Sequence, residues 1–302
     1  MKLYNNIFRK LTVLVLLFYW VAVNGFQSVY SQSILQVATK SIKKTVTART
    51  IRTLYINAEK ADIELISWDK AEITVLMELS ARHPDKRTAA SDLGKIQYVA
   101  ERSGKDYFLR NYILLREGES KPSSNLKARY TIHLPSNCSV DLKNTFGTIQ
   151  MKGLTNNLKL SADFCTTSLA NIKGKGLLET TFGELKAIEI SGTFSFTSDH
   201  TNLQLENIAG AIRMSTLYGN VEIVPSAGLT SLSIQSKKAV VTMITKNWQH
   251  FDYDINSAYT TMKLPNGFKL KRNTPDFKDA FFSRNQLANV QISTEFGNLT
   301  IK

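Results

Sequence analysis

The chain has 302 residues, a formal net charge of +13 at pH 7, 43% hydrophobic residues, two cysteines and four histidines. Two cysteines cannot build a cysteine–zinc cluster, and His83, His133, His200 and His250 lack ligand spacing, so neither a metal site nor a cofactor is expected. No block of five like charges occurs, and no nucleic-acid partner is expected.

Residues 1–31 read as a secretory signal peptide. Lys2, Arg9 and Lys10 are basic, Leu11 to Val23 is apolar but too short to span a bilayer, and Val29-Tyr30-Ser31 offers a cleavage site. No cysteine follows to take a lipid, and the mature chain has no second apolar run of spanning length. The expectation is an exported protein of the periplasm or outer cell surface. Without the three basic residues of the signal the net charge falls from +13 to +10. That charge suits an anionic glycan or envelope polymer as partner, or serves solubility alone.

Residues 32–50 are a lead-in. In 51–79, Leu54, Ile56, Ala61, Ile63 and Leu65 set out two short strands about a corner, and Ile73, Val75 and Met77 begin another. A loop-rich insertion is expected at about 81–127: ARHPDKRTAASD is polar and carries Pro84, Ile96 to Tyr112 forms strands about Gly104, and REGESKPSSN is a second loop. Ala128 to Pro135 is again a strand.

From Val140 to Val224 the chain keeps an eighteen-residue beat. A ring recurs at Phe146, Phe164, Phe182, His200 and Tyr218, followed by Gly147, Cys165, Gly183, Thr201 and Gly219. Leu142, Leu160, Leu178, Phe196 and Met214 keep the same interval, and apolar residues alternate within each beat. Alternation means strands, two to a beat, with corners at Gly147 and again at Gly174, Gly192 and Gly210. One such coil cannot bury its apolar face alone, whereas a stack can. The fold class is therefore all-β, a single-domain β-solenoid (β-helix-like) spanning 51–302. The rings should stack beside the corner, with room left by the small residues two places earlier (Asn144, Ala162, Thr180, Ser198, Thr216). His200 in that ladder is either a buried switch or ligand, or a packed ring with one nitrogen bonded to backbone. Cys138 and Cys165 differ in phase by half a beat, which favours two free thiols over a bridge.

Beyond Tyr218 the beat loosens through Leu232, Ile234 and Val240 to Ile244. Phe251, Tyr253 and Ile255 then alternate with His250, Asp252 and Asp254. That polar trio is either an acid–base or metal patch or a solvated strand face. A second insertion, at about 266–288, gathers Lys269, Lys271, Arg272, Lys278 and Arg284 with Phe268, Phe277, Phe281 and Phe282. It could bind an anionic polymer or a membrane surface, or cap the stack with its rings inward. Residues 289–301 return to the beat, so an exposed terminal strand is expected there, open to end-to-end pairing of two copies.

The corners NTFGTIQM, TTFGELKA, STLYGNVEI and STEFGNLTI, with the YTIHLP lead-in at 130–135, resemble those of the bacterial putative-adhesin family over nearly all of residues 50–302. Cys165, Thr201 and Thr260 depart from its corner glycine, and Lys238 from its corner aromatic. The resemblance implies an exported β-solenoid, autotransporter-adhesin-head-like, and supplies no catalytic residues. The reading is a non-catalytic cell-envelope protein that presents polar faces for binding or scaffolding. The alternatives are an enzyme acting on envelope or extracellular glycans, with His250, Asp252 and Asp254 as its only candidates, and a scaffold that self-assembles through open ends.

Overall fold

The structure is a computed structural model and describes residues 35–285 and 288–302. The segment read as a signal peptide lies outside them. No helix among the described residues is long and apolar enough to cross a membrane.

The chain is all-β, and residues Gln36–Lys302 form one compact unit. The strands run, in chain order, β1 (Gln36–Thr47), β2 (Thr53–Glu59), β3 (Ala61–Trp68) and β4 (Glu72–His83), then helix α1 (Lys86–Gly94), then β5 (Ile96–Ser103), β6 (Asp106–Ile113) and β7 (Asn125–Pro135). The repetitive region holds β8 (Ser139–Lys152), β9 (Leu158–Thr181), β10 (Glu184–Asp199) and β11 (Asn202–Met243). After a short 3-10 turn at Trp248–His250 come β12 (Phe251–Ala258), β13 (Thr261–Lys263), β14 (Lys269–Asn273), β15 (Phe277–Phe282), β16 (Ala288–Glu295) and β17 (Asn298–Ile301). Among the described residues all seventeen share one open sheet, with β1, β5, β13 and β14 each paired on one side only.

The eighteen-residue beat sets the register. Leu142 pairs with Leu160 and Met151 with Leu169 between β8 and β9, and Phe196 pairs with Met214 between β10 and β11, all in parallel. The repeating apolar column Leu142, Leu160, Leu178, Phe196, Met214 is at most 2% exposed. Each such side chain contributes roughly 2 kcal/mol by burial, enough to hold the corners in unfavourable backbone conformations.

Those conformations fall on the ring-bearing residues. Phe146, Phe164, Phe182, His200 and Tyr218 have φ between 48° and 64°, as do Lys60, Lys238, Tyr259 and Phe296 at equivalent corners. A left-handed residue costs roughly 1–2 kcal/mol. It also throws its side chain outward: the rings of Phe146, Phe164 and Phe182 are 45–49% exposed, whereas Asn144, Ala162, Thr180, Ser198 and Thr216 are buried. The small residues therefore do not make room for the rings. They point into the core, where the reversing chain leaves little space.

In stacking order, the residue after each ring position alternates: Ala61, Gly147, Cys165, Gly183, Thr201, Gly219, Ala239, Gly297, Thr260. A Cβ on any of these four glycines would overlap a backbone carbonyl of the neighbouring repeat. The departures from glycine have a use of their own. Cys165 Sγ, Thr201 Oγ1 and Thr260 Oγ1 each donate to the carbonyl two residues back, at 3.3, 3.0 and 2.9 Å, and so close the corner.

The insertion at 81–127 is more regular than its composition suggests. Strand β4 continues to His83, and the polar stretch after it is helix α1, capped where Asp85 Oδ1 accepts from Thr88 N at 2.7 Å. Strands β5 and β6 form a hairpin that adds to β2. The stretch 36–47, expected as lead-in, pairs with β4 along its whole length.

The C-terminal repeat does not end the stack. Strands β16 and β17 lie between the last turn of β11 and β12–β13, paired in parallel on both sides. The expected exposed terminal strand is thus covered. At that side the sheet continues through β15, antiparallel on β12, to β14 at its edge.

Candidate functional site

A concavity of about 580 Å³ runs over the first strands of successive repeats. In each repeat two outward residues line it, flanking one that points inward. One outward column is Asp141, Lys159, Leu177, Ser195 and Arg213, and the column beside it carries Ser139, Asn157, Lys175, Thr193 and Ala211. Half of these ten side chains are short and polar. A Cβ on Gly176 would overlap the Phe194 ring, which packs beneath it at 1% exposed. Leu177, beside that glycine, is 40% exposed in the middle of the groove. Tyr55 lines the far end and stacks on Phe108 with centroids 5.0 Å apart.

The groove is basic. Lys159 lies 3.7 Å from Asp141, the one carboxylate among its lining residues. Lys175 and Arg213 are exposed and have no ion pair among the described residues. The eighteen-residue spacing of Asp141, Lys159 and Arg213 is legible in the sequence. What cannot be read there is that their column and its neighbour enclose a groove.

The residues singled out in the sequence lie elsewhere. His250 belongs to the 3-10 turn, not to the strand that carries Asp252 and Asp254, so the trio does not share one face. Both carboxylates meet the β14–β15 hairpin or the residues just after it: Asp252 Oδ1 accepts from Arg284 N at 2.7 Å, and Asp254 Oδ1 is 3.6 Å from Lys271 Nζ. Arg272 pairs with Asp279 at 2.9 Å and lies over the Phe277 ring. Arg284 also donates to Gln249 at 3.0 Å. Lys269 is exposed, and Lys278 is half-buried and accepts from Ser257 Oγ through its carbonyl. Two of the five cations, Lys271 and Arg272, thus pair with carboxylates. Its rings divide: Phe268 and Phe282 pack with Trp248 at 5.4 and 4.6 Å, while Phe277 and Phe281 lie under Arg272 and Lys271.

At the corner the rings form a continuous exposed stack. Centroids from Phe146 through Phe164, Phe182 and His200 to Tyr218 are 5.0, 5.1, 4.8 and 4.4 Å apart. His200 is in the ladder but exposed, and its Nδ1 lies 2.7 Å from Asp199 Oδ1 rather than bonding to backbone.

The buried titratable groups serve structure. Cys138 and Cys165 are free and buried, and burial pushes both thiols up to about 11. Burial also pushes Asp92 up, but hydrogen bonds from Ser124 and from Lys95 outweigh it and hold the carboxyl at about 2. Among the described residues no group of three or more His, Cys, Asp or Glu could hold a metal ion.

A family model described as Toastrack DUF4097 matches residues 51–302. No curated protein matches the chain. Among solved structures, that of a putative adhesin from Bacteroides fragilis has 10% sequence identity and a TM-score of 0.51, covering 87% of this chain and 97% of that one. Another putative adhesin, from Parabacteroides distasonis, has 11% identity and a TM-score of 0.35 over 87% and 97%. The first likeness is one of fold.

Proposed function

The chain belongs to the Toastrack DUF4097 family, and from that premise we propose that it is an exported β-solenoid that works by binding rather than by catalysis, adhesin-like, in or on the cell envelope. The observation that carries this reading is the groove itself. It is assembled from outward residues at two repeating positions, brought side by side by parallel pairing at an eighteen-residue offset. A stack of this kind presents a ladder of side chains at strand spacing, which suits an extended partner better than a compact one. The parallel register and the family's name support the solenoid form, residues 1–31 support export, and the adhesin title of the Bacteroides fragilis structure fits a surface role.

Cell fractionation followed by protease treatment of intact cells tests this. Loss of the protein from intact cells places binding at the outer surface. Protection with release in the periplasmic fraction turns the role to an internal envelope polymer. Recovery in the cytoplasm with residues 1–31 still attached would sink the proposal.

A further inference from the structure

We infer, resting on the reading of the chain as a binding solenoid, that the first-strand groove holds one extended acidic polysaccharide, lying along the stack with its carboxylates on Lys159, Lys175 and Arg213. The three cations stand at different heights. Lys159 and Lys175 belong to neighbouring repeats, and Arg213 lies two repeats beyond Lys175. With strands about 4.8 Å apart, the gaps along the stack are about 5 and 10 Å. A 1,4-linked pyranose chain advances by close to one strand spacing per sugar, so one carboxylate per sugar keeps step with the rows of the groove.

The rest of the lining fits the same ligand. Ser139, Asn157, Thr193, Ser195 and Ser233 offer hydroxyl and amide groups to sugar hydroxyls. Leu177 offers an apolar surface to the C–H face of a ring. Asp141 is the opposing charge, and its partner Lys159 lies 3.7 Å away. A single-stranded nucleic acid fits less well, because it needs aromatic platforms along its path. The groove has Tyr55 at one end, already stacked on Phe108, and Phe194 buried beneath it. The volume, about 580 Å³, lies in the ordinary range of ligand sites.

The test titrates the purified chain with alginate, a 1,4-linked uronate polymer, and with neutral dextran, by calorimetry at low and moderate salt. Alginate should bind, more weakly as salt rises, and dextran should not. Lys175→Glu combined with Arg213→Glu should weaken alginate binding by roughly tenfold, and the Gln pair by roughly threefold. Lys246→Glu with Lys263→Glu makes the same change in net charge at exposed positions outside the groove lining and should leave affinity within about twofold. Both target positions are exposed, and circular dichroism should show each variant folded.

Failure of the wild-type chain to bind alginate overturns the inference, as does equal binding of dextran, or equal loss in the two charge-reversed pairs. If alginate fails while the protein is found at the cell surface, this ligand falls and the binding reading stands. A cytoplasmic protein removes the reading itself.

Discussion

The carbonyl oxygen of Thr201 occupies the space that a Cβ on Gly219 would need. Gly219 also has φ of +104°, a conformation that L side chains rarely adopt. Gly219→Ala should therefore destabilise the protein by at least about 2 kcal/mol, from backbone strain together with the clash. Thr201→Ala removes the hydrogen bond to Asp199 O at 3.0 Å and a buried methyl, and should cost about 1–2 kcal/mol, less than the glycine variant. Thermal unfolding of the two variants checks the order. A Gly219→Ala protein as stable as wild type would show that neighbouring repeats can move apart at the corner.

Phe164 sets two terms against each other. Its φ of 54° costs roughly 1–2 kcal/mol, while its stacking on Phe146 and Phe182 contributes about 0.5–1.5 kcal/mol for each pair. Phe164→Ala keeps the strain and loses both stacking contacts, whereas Phe164→Gly loses the same contacts but relieves the strain. The Gly variant should be more stable than the Ala variant by about 1 kcal/mol, the reverse of the usual order in regular structure. Denaturant midpoints for the pair decide it, and an Ala variant that is the more stable counts against the left-handed corner.

Asp92 links the helix α1 to the loop after β6. Its Oδ2 accepts from Ser123 N at 3.0 Å and Ser124 N at 2.9 Å, and its Oδ1 pairs with Lys95 at 3.0 Å. A carboxyl lowered from 3.8 to about 2 in the folded state stabilises the protein fully above the unfolded value. That contribution, about 2 kcal/mol, is lost as pH falls through the window from about 4 to 2. Asp92→Asn should abolish this part of the acid dependence. Urea unfolding of both proteins between pH 5 and 2.5 measures the difference, and parallel curves would refute the assignment.

Cys138 and Cys165 are buried thiols at about 11. Near pH 8 only about one in a thousand is thiolate, and the thiolate is the reactive form. A water-soluble disulfide reagent should label neither in the folded protein and both after unfolding. Rapid labelling of Cys165 at native pH would mean that the corner opens.

Much of the site's framework is legible in residues alone. Leu142, Leu160 and Leu178 announce a buried column, and the rings from Phe146 to Tyr218 announce a stack, because a fixed period places like residues above one another. Three features escape. The small column at Thr180 and Ser198 reads as room for the rings, yet the sign of φ sends the rings outward, and a periodicity carries no sign of φ. Cys165, Thr201 and Thr260 look like lapses from glycine. Cys165 and Thr201 already alternate with glycine along the sequence, but Thr260 joins the alternation only once Gly297 is placed before it in stacking order. Asp252 and Asp254 look like a patch with His250, but the partners that claim them, Arg284 and Lys271, come from a segment that the strand pattern does not connect to them.

The strand period, the inward and outward faces, both corners and the likeness of residues 289–301 to 211–223 follow from the residues alone, because each depends on neighbours within one repeat. The order of the stack is a tertiary matter. Strands β16 and β17 enter between β11 and β12–β13 rather than closing the end. Every repeat offers the same pairing edge, so local pattern cannot choose among them. In the structure Ser236 pairs with Thr294 and Thr294 with Ser257 in one buried column, while the β14–β15 hairpin takes the outer edge of β12. The groove arises the same way, since Lys159, Lys175 and Arg213 come together only when separate repeats are stacked.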